Sequence, residues 1–483
     1  MSASRNTRWF GRASLAVIIV ATVAGGWRLL QASRARDFVQ ASVPVRPDLT
    51  GWTSLLAGNL TTAEGATKEL FGAPEGLVRL SRIYHANGFY PEAMACYGAL
   101  QELQPGVARW YHLPVSILAG FGRLDDAAIM ATAAIELAPD YLPARLRRGD
   151  ILTKLNRDDE AGAVYEAVLT LEPGNVYALL GLARLAMREE NWTQARQRLQ
   201  QATAEDPNFI GALSLLVSVE RKLGHERAAD AVQLRMDGRE FVDFSDPWLD
   251  ETMNECVDAY RLSVAAAVAR AAGKPSQAKA YLQRAILLDP VSSAYLRQLG
   301  RLELSQRDFS GARFSLEKAV EVDSEDSESW LQLIEAYKTM GDTVAANQAI
   351  TKGLARCPES RGLHLAEGRR LNESNQKRRA LAHFQEAYRL KPSEPDPLIE
   401  IAGVWFTLGR NDEALQALHE ALLKEPGHPM AQATLCYFAI STGDVVEADQ
   451  WWKRVVDQIK TPAEMRERLR QTYRSKFGRE PSL

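Results

Sequence analysis

Cysteine is scarce in this chain of 483 residues. The four cysteines stand far apart, and no two of them form a Cys-x-x-Cys pair; they are Cys96, Cys256, Cys357 and Cys436. This spacing excludes a zinc knuckle, a thioredoxin-like redox motif and a c-type haem attachment site.

Motifs for catalysis and nucleotide binding are also lacking. The His419-Glu420 pair continues as Ala-Leu-Leu and does not form His-Glu-x-x-His, and the chain has neither a P-loop nor a Gly-x-Gly-x-x-Gly fingerprint. The seven histidines are scattered and form no nucleophile motif. We therefore predict no catalytic residue, no metal site and no cofactor, in a protein that is not an enzyme.

The chain also lacks a large excess of charge of either sign. The formal net charge is −3, without the strong positive excess typical of proteins that bind nucleic acid. We predict no nucleic-acid partner.

What the chain does have is a regular spacing of prolines. Neighbouring prolines stand 34 residues apart in two series, interrupted once by a longer gap and once by Ser324 at a proline position; the prolines are Pro105, Pro139, Pro173 and Pro207, then Pro290, Pro358, Pro392 and Pro426. A fixed period of this length indicates stacked supersecondary units.

Small and large apolar residues recur at constant distances before each proline, with spacings that place them on one face of a helix. Twelve residues upstream stand Ala93, Ala127, Ala161, Ala195, Ala278, Ala312, Ala346, Ala380 and Ala414. Eight residues upstream stand Tyr97, Tyr165, Leu199, Leu282, Leu316, Ile350, Phe384 and Leu418. Five residues upstream stand Ala134, Ala202, Ala285, Ala319, Ala387 and Ala421. The small residues let a neighbouring helix approach, and the large one fills the space between the helices.

An earlier helix precedes each of these helices, and a Gly-containing turn such as Asn87-Gly88 or Gly341-Asp342 separates the two. With these positions the chain resembles the tetratricopeptide repeat (TPR) family, as in Trp330, Tyr337, Ala346 and Pro358. The resemblance covers roughly residues 74–460. It implies an all-α fold: a right-handed α-solenoid of about eleven helical hairpins. The apolar stretch at the N-terminus predicts a transmembrane helix before this solenoid.

The period breaks in the middle of the array. The fifth period, 208–241, lacks its proline, and an insertion over 242–258 follows; we predict repeats over 74–241 and again over 259–460. Asp246-Pro247 is typical of a helix start, and we expect that helix to continue through Ala272. Two interpretations stay open for Phe241, Phe244 and Trp248. They form a packed plug, or they form a hinge or projecting contact between two half-solenoids.

The N-terminus combines a basic tail, 1–12, with an uncharged apolar stretch that begins at Ala13. Residues 13–31 fit an uncleaved signal anchor better than a cleaved signal peptide, because no small-x-small cleavage site follows. A buried soluble helix is disfavoured, since no polar pattern interrupts the stretch. Arg5, Arg8 and Arg12 favour an N-terminus inside the cell, so we predict a single-pass protein of the inner (cytoplasmic) membrane with the repeats on the exported side.

Two segments flank the predicted repeats. Residues 32–73 are a predicted spacer with one short helix, over 49–60 or 61–70, and residues 461–483 contain a predicted capping helix that ends near Phe477. Because repeats of a solenoid contact only their neighbours, the distant cysteines are not expected to form disulfides.

The resemblance also implies which residues line the concave groove, since the first helix of each TPR hairpin faces it. Basic residues occupy many of these positions; the candidate groove-binding residues are Arg82, Arg109, Lys154, Arg184, Arg188, Arg221, Lys222, Arg270, Arg297 and Arg301. A basic groove suits a protein or peptide partner that offers an acidic segment or a C-terminal carboxylate. The alternative is a solvated face on which arginine stems cover apolar surface.

These patterns predict a membrane-anchored scaffold for protein–protein interaction. An alternative, from resemblance to single-span envelope TPR proteins, is an assembly or maturation factor for cytochrome c, the outer membrane or polysaccharide. An enzyme is disfavoured, because anchor, spacer, repeats and cap leave too few residues for a catalytic domain.

Overall fold

The computed structural model describes residues 4–236, 243–457 and 461–482, apart from the side chains of 4–21, 234 and 457. All regular structure in these ranges is helical. The first fourteen α-helices are α1 (Ser4–Ser42), α2 (Ser54–Ala66), α3 (Ala73–Asn87), α4 (Tyr90–Leu103), α5 (Arg109–Gly120), α6 (Leu124–Leu137), α7 (Leu142–Lys154), α8 (Asp158–Leu171), α9 (Val176–Arg188), α10 (Trp192–Glu205), α11 (Ile210–Lys222), α12 (Glu226–Arg235), α13 (Pro247–Thr252) and α14 (Ala259–Ala271).

The remaining helices continue the same alternation to the end of the described chain. They are α15 (Pro275–Leu288), α16 (Ser293–Ser305), α17 (Phe309–Val322), α18 (Ser327–Thr339), α19 (Thr343–Arg356), α20 (Arg361–Glu373), α21 (Lys377–Leu390), α22 (Asp396–Thr407), α23 (Asn411–Lys424), α24 (Pro429–Thr442), α25 (Val445–Asp457) and α26 (Ala463–Phe477). In chain order, α3–α12 and α14–α25 make eleven successive pairs within the described residues, which agrees with the predicted number of hairpins.

Contacts divide the described residues into two compact units. Unit 1 takes its residues from Met1–His225 and Gly238–Ala272, and unit 2 takes its residues from Glu226–Asp237 and Gly273–Leu483. Complete hairpins run from α3/α4 to α9/α10 in unit 1 and from α16/α17 to α24/α25 in unit 2.

Each hairpin turns through one residue in the left-handed region of backbone space. Gly88 ends α3 with φ +85°, and Gly341 follows α18 with φ +77°. Asn156 and Glu190 adopt φ +58° and +57° at the equivalent turns after α7 and α9. The turn geometry is therefore shared by repeats that lack the predicted glycine, because hairpin packing outweighs the modest cost of this conformation for a residue with a side chain.

The predicted packing positions form the core of both units. None of the fifteen alanines that precede the proline positions by twelve or five residues, and none of the eight large residues between them, is more than 3% exposed. Tyr165 lies between Gly149 of α7 and Gly181 of α9, and Phe384 lies against Gly368 of α20. This confirms the interlocking of small and large residues inferred from the period.

The N-terminal part of the chain differs from the prediction. Helix α1 continues through Ser42, so residues 32–42 are helical, because neither glycine nor proline occurs between Gly26 and Pro44. Buried Val39 lies in its C-terminal part, and α1 packs on α3 and α4. Helix α2 overlaps both ranges considered for a short helix.

The predicted anchor, 13–31, lies within α1, but the side chains of 13–21 are outside the described part of the chain. Among the helices formed by the described residues, none combines the length and apolarity needed to cross a lipid bilayer.

The helix expected to run from Pro247 through Ala272 is interrupted. Asp246 caps α13 and Pro247 occupies its first turn as predicted, but α13 ends at Thr252, and a 3₁₀ turn over Met253–Glu255 follows. The backbone is extended at Cys256, and the side chain of Asp258 caps α14 by accepting a hydrogen bond from the Arg261 amide. Two N-caps twelve residues apart, Asp246 and Asp258, divide the segment that the sequence pattern predicted to be one helix.

Candidate functional site

The first helices of the hairpins in unit 1 contact one another in order, α5 with α7, α7 with α9 and α9 with α11. The surface that α3, α5, α7, α9 and α11 share is here called the inner face. Residues 243–257, here called the inner segment, lie across the part of this face formed by α3, α5, α7 and α9.

The inner segment begins on α7 and α9. Arg147 on α7 pairs with Asp243 at 3.0 Å, and its guanidinium lies 4.4 Å from the centroid of the Phe244 ring. The Tyr177 hydroxyl on α9 donates to the Asp243 carbonyl at 3.2 Å, and the Tyr177 ring meets Phe244 edge-on. Phe244 is buried and joins the hydrophobic cluster around Tyr165. This end of the segment is held by an aromatic anchor with an ion pair beside it.

A buried polar cluster holds the middle of the inner segment. Asp246 is 5% exposed; its Oδ2 lies 2.6 Å from His112 Nε2 on α5, and its Oδ1 accepts from the Tyr141 hydroxyl at 2.6 Å. Burial alone would raise the pKa of Asp246, but the hydrogen bonds and charge of His112, with the Tyr141 hydroxyl, hold that pKa below its ordinary value. The carboxylate is therefore the form that this cluster binds.

Trp248 stacks on the ring of Tyr141 with 3.6 Å between centroids and 11° between planes. Its backbone amide donates to the Tyr141 hydroxyl at 3.2 Å, so Tyr141 binds the segment through both its ring and its oxygen. For Phe244 and Trp248 the packed interpretation is confirmed, whereas Phe241 lies outside the described residues.

The carboxyl end of the inner segment reaches α3. Glu251 Oε2 lies 2.7 Å from Arg82 and 3.2 Å from Arg109, and Glu255 lies 3.4 Å from Arg79. The Asn87 side chain donates to the Glu255 carbonyl at 3.0 Å and accepts from the Val257 amide at 2.8 Å. These contacts join residues about 170 positions apart, so the rule that a repeat contacts only its neighbours does not hold in unit 1.

The structure brings together only some of the predicted groove residues. Arg82 and Arg109 converge on Glu251, while Lys154 and Arg184 are exposed on α7 and α9. Arg188 donates to the Thr153 carbonyl at 2.7 Å and thereby binds the turn of the preceding hairpin.

The other predicted residues lie further along the helices. Arg221 and Lys222 are exposed in the last turn of α11, where Lys222 lies 5.8 Å from the Trp192 ring, and Arg270 is in the last turn of α14. In unit 2, Arg297 donates to both carboxylate oxygens of Asp326, at 2.7 and 2.8 Å, and Arg301 is exposed on α16.

The sequence analysis did not identify contact residues that lie outside the groove-facing positions of the repeat. Arg79, Asn87, Tyr141 and Arg147 all contact the inner segment. One signal was available: five carboxylates lie between 243 and 255, at Asp243, Asp246, Asp250, Glu251 and Glu255, facing an array with many basic first helices. Charge complementarity could have paired the two.

Within the described ranges, no group of three or more histidine, cysteine or carboxylate side chains is arranged to hold a metal ion. The four cysteines are all buried as thiols and form no disulfide. Burial raises the pKa of the Cys96 and Cys436 thiols to about 12, which keeps them protonated and unreactive.

Family models for the tetratricopeptide repeat match residues 159–218 and 371–435 in one case and 115–176 and 264–328 in the other. Among solved structures, the chain is similar to yeast Tom70, with 17% identity over 84% of this chain and 96% of that one and a TM-score of 0.36. It is also similar to a chain of the APC/C hetero-tetramer Cut9–Hcn1, with 14% identity over 86% of this chain and 93% of that one and a TM-score of 0.37. The matched residues include the hairpins whose small and large side chains interlock as described above, and the chain is a tetratricopeptide repeat protein.

Proposed function

We propose that this chain is a non-enzymatic scaffold that binds a protein partner through an acidic peptide laid along the inner face of unit 1. One observation carries the proposal: the inner face binds the inner segment through side chains of four successive first helices. The contacts use arginines for carboxylates, an asparagine for the backbone and tyrosines for aromatic rings, which are the ordinary means of peptide recognition.

The inner segment covers only part of the inner face. Beyond it the face continues with exposed basic side chains on α7, α9 and α11; these are Lys154, Arg184, Arg188, Arg221 and Lys222. Arg184 also acts electrostatically on Asp150, which lies near Asp243, so this basic surface continues directly from the bound segment. Basic side chains along a concave surface favour an acidic partner and increase its rate of association.

A photo-reactive amino acid at Arg184 is expected to cross-link the partner in cells, whereas the same amino acid at Gln200 on α10 is expected not to. Both residues are exposed, but Gln200 belongs to a second helix, away from the inner face. Cross-linked products are identified by mass spectrometry, and the reversal R188E/R221E/K222E, made in the chain that carries the photo-reactive amino acid at position 184, is expected to abolish them. Equal cross-linking at the two positions, or products that survive the reversal, would contradict an inner-face partner.

We further propose that α1 attaches the scaffold to the inner membrane, with the repeats on the exported side. Support comes from the apolar side chains that α1 leaves accessible, with Trp27 59% exposed and Val23 67% exposed. Tryptophan is favoured at the boundary between lipid and water.

Reporter fusions test this orientation. Alkaline phosphatase at the C-terminus of the full chain is expected to be active in a bacterial host, and green fluorescent protein at the same position is expected to be dark, because the phosphatase matures only after export. Fluorescence without phosphatase activity would place the repeats in the cytoplasm.

A further inference from the structure

The inner segment is held by contacts whose individual contributions are small. Glu251 and Asp243 are 44% and 46% exposed at the side chain, and ion pairs at such positions contribute little because water and salt screen them. The cost of removing His112 and Asp246 from water cancels much of the attraction between them. Their buried bridge therefore contributes more to specificity than to stability.

His112 shows that the fit of the inner segment is incomplete. The residue is 4% exposed, and its Nδ1 has no hydrogen-bond partner among the described residues. A buried nitrogen without a hydrogen-bond partner has lost its interaction with water and gained none in its place, which is unfavourable. A peptide that also satisfied Nδ1 would bind this face more tightly than the inner segment does.

The segment itself defines what the face recognises. Its four principal side chains are an aromatic residue, a carboxylate two positions later, a second aromatic two positions after that, and a carboxylate three positions further on; they are Phe244, Asp246, Trp248 and Glu251. The spacing is that of an extended stretch leading into a single helical turn.

We infer that the inner segment is an exchangeable internal ligand, which a partner peptide with this aromatic–carboxylate pattern displaces from the inner face of unit 1. The inference rests on the proposed function and adds the recognised pattern and its regulation. Because the inner segment is covalently attached, its effective concentration at the inner face is in the millimolar range. It therefore prevents peptides of low affinity from binding to the same face. A partner peptide therefore binds only if it fits the inner face better than the inner segment does, or if the contacts of the inner segment have been weakened.

The test uses the purified full chain and a fluorescent synthetic peptide of residues 243–257 carrying C256S, with a scrambled peptide as control. Wild type is expected to bind the probe weakly, and the variant F244A/W248A/E251Q is expected to bind it at least about tenfold more tightly. All three changes lie on the segment, so they leave α3–α9 unaltered. Adding R82E/R109E to that variant is expected to remove the binding. A variant with unchanged helical circular dichroism that does not bind the probe would overturn the inference.

Hydrogen exchange on the wild-type chain gives a second measurement that depends on no variant. An exchangeable ligand opens locally, so amides of 247–252 are expected to exchange at least about tenfold faster than those of 110–118 in α5. Equal protection would make the segment part of the permanent core and overturn the inference. A wild-type dimer in light scattering that becomes monomeric in F244A/W248A/E251Q would assign the face to a second copy and also overturn it.

The outcomes separate this inference from the proposed function. Cross-links at Arg184 that persist while the probe fails to bind would leave the scaffold in place and remove only the exchangeable segment. Probe binding without any inner-face cross-link would remove the acidic partner and leave the segment exchangeable.

Discussion

Replacing Tyr165 by alanine is expected to lower the free energy of unfolding of unit 1 by about 3–5 kcal/mol. The ring is 1% exposed, and it fills the space between Gly149 and Gly181. Its hydroxyl donates to Asp150 at 2.9 Å, and burial raises the pKa of that carboxyl. The substitution therefore removes the ring and leaves a buried polar group without its partner. The urea dependence of amide exchange in α7 and α9 measures the loss.

Tyr165→Phe and two glycine variants separate volume from hydrogen bonding. Tyr165→Phe keeps the ring and is expected to cost about 1 kcal/mol. A Cβ at Gly181 would lie 2.4 Å from the buried ring, so Gly181→Ala is expected to destabilise unit 1 by about 1–3 kcal/mol. A Cβ at Gly98 in α4 meets nothing within 4 Å, and Gly98→Ala is expected to stabilise its helix by up to about 1 kcal/mol. Equal effects of the two glycine changes would contradict the proposed packing.

Replacing Asp246 by alanine is expected to release the inner segment. The change leaves His112 buried without its carboxylate, which costs about 3 kcal/mol and corresponds to roughly hundredfold faster amide exchange over 247–252. Because the segment can leave the face, α5 is expected to lose much less protection. Glu136→Ala, which removes an exposed carboxylate on α6, is the matched control and is expected to change stability by less than about 0.5 kcal/mol.

Acid is expected to have the same effect on the wild-type chain. The folded pKa of Asp246 is lowered, so its contribution is complete above the ordinary aspartate pKa of about 3.9 and is lost as the pH falls through the lower folded value. Exchange over 247–252, corrected for the intrinsic pH dependence, should therefore accelerate below about pH 4 in wild type. In Asp246→Ala this acceleration should be absent. An identical acid response in the two chains would show that another group controls release.

Much of the hairpin structure follows from local pattern. Pro105 and its counterparts predicted where second helices end, and the Ala93 and Tyr97 positions predicted which faces are buried, because helix periodicity and volume act over a few residues. The split between α13 and α14 was not predicted. Between these helices the Val257 amide donates to Asn87, which belongs to the first hairpin and is distant in sequence.

The candidate site was predicted only in part, for the same reason. Arg82 and Arg109 were identified from their positions in the repeat, but their common partner Glu251 is about 170 and 140 residues away in sequence. His112 and Tyr141 become one site only when Asp246 lies between them.

By itself, the sequence determined the class of repeat, the number of hairpins and the residues that interlock them, since each of these depends on contacts within a hairpin or between neighbouring hairpins. The tertiary structure alone decided that an acidic stretch from the centre of the chain lies along the inner face of unit 1. That contact requires a long stretch of chain to close into a loop, and the entropic cost of closing it grows only slowly with its length. It also requires complementary charges and aromatic surfaces, which the 34-residue period does not specify.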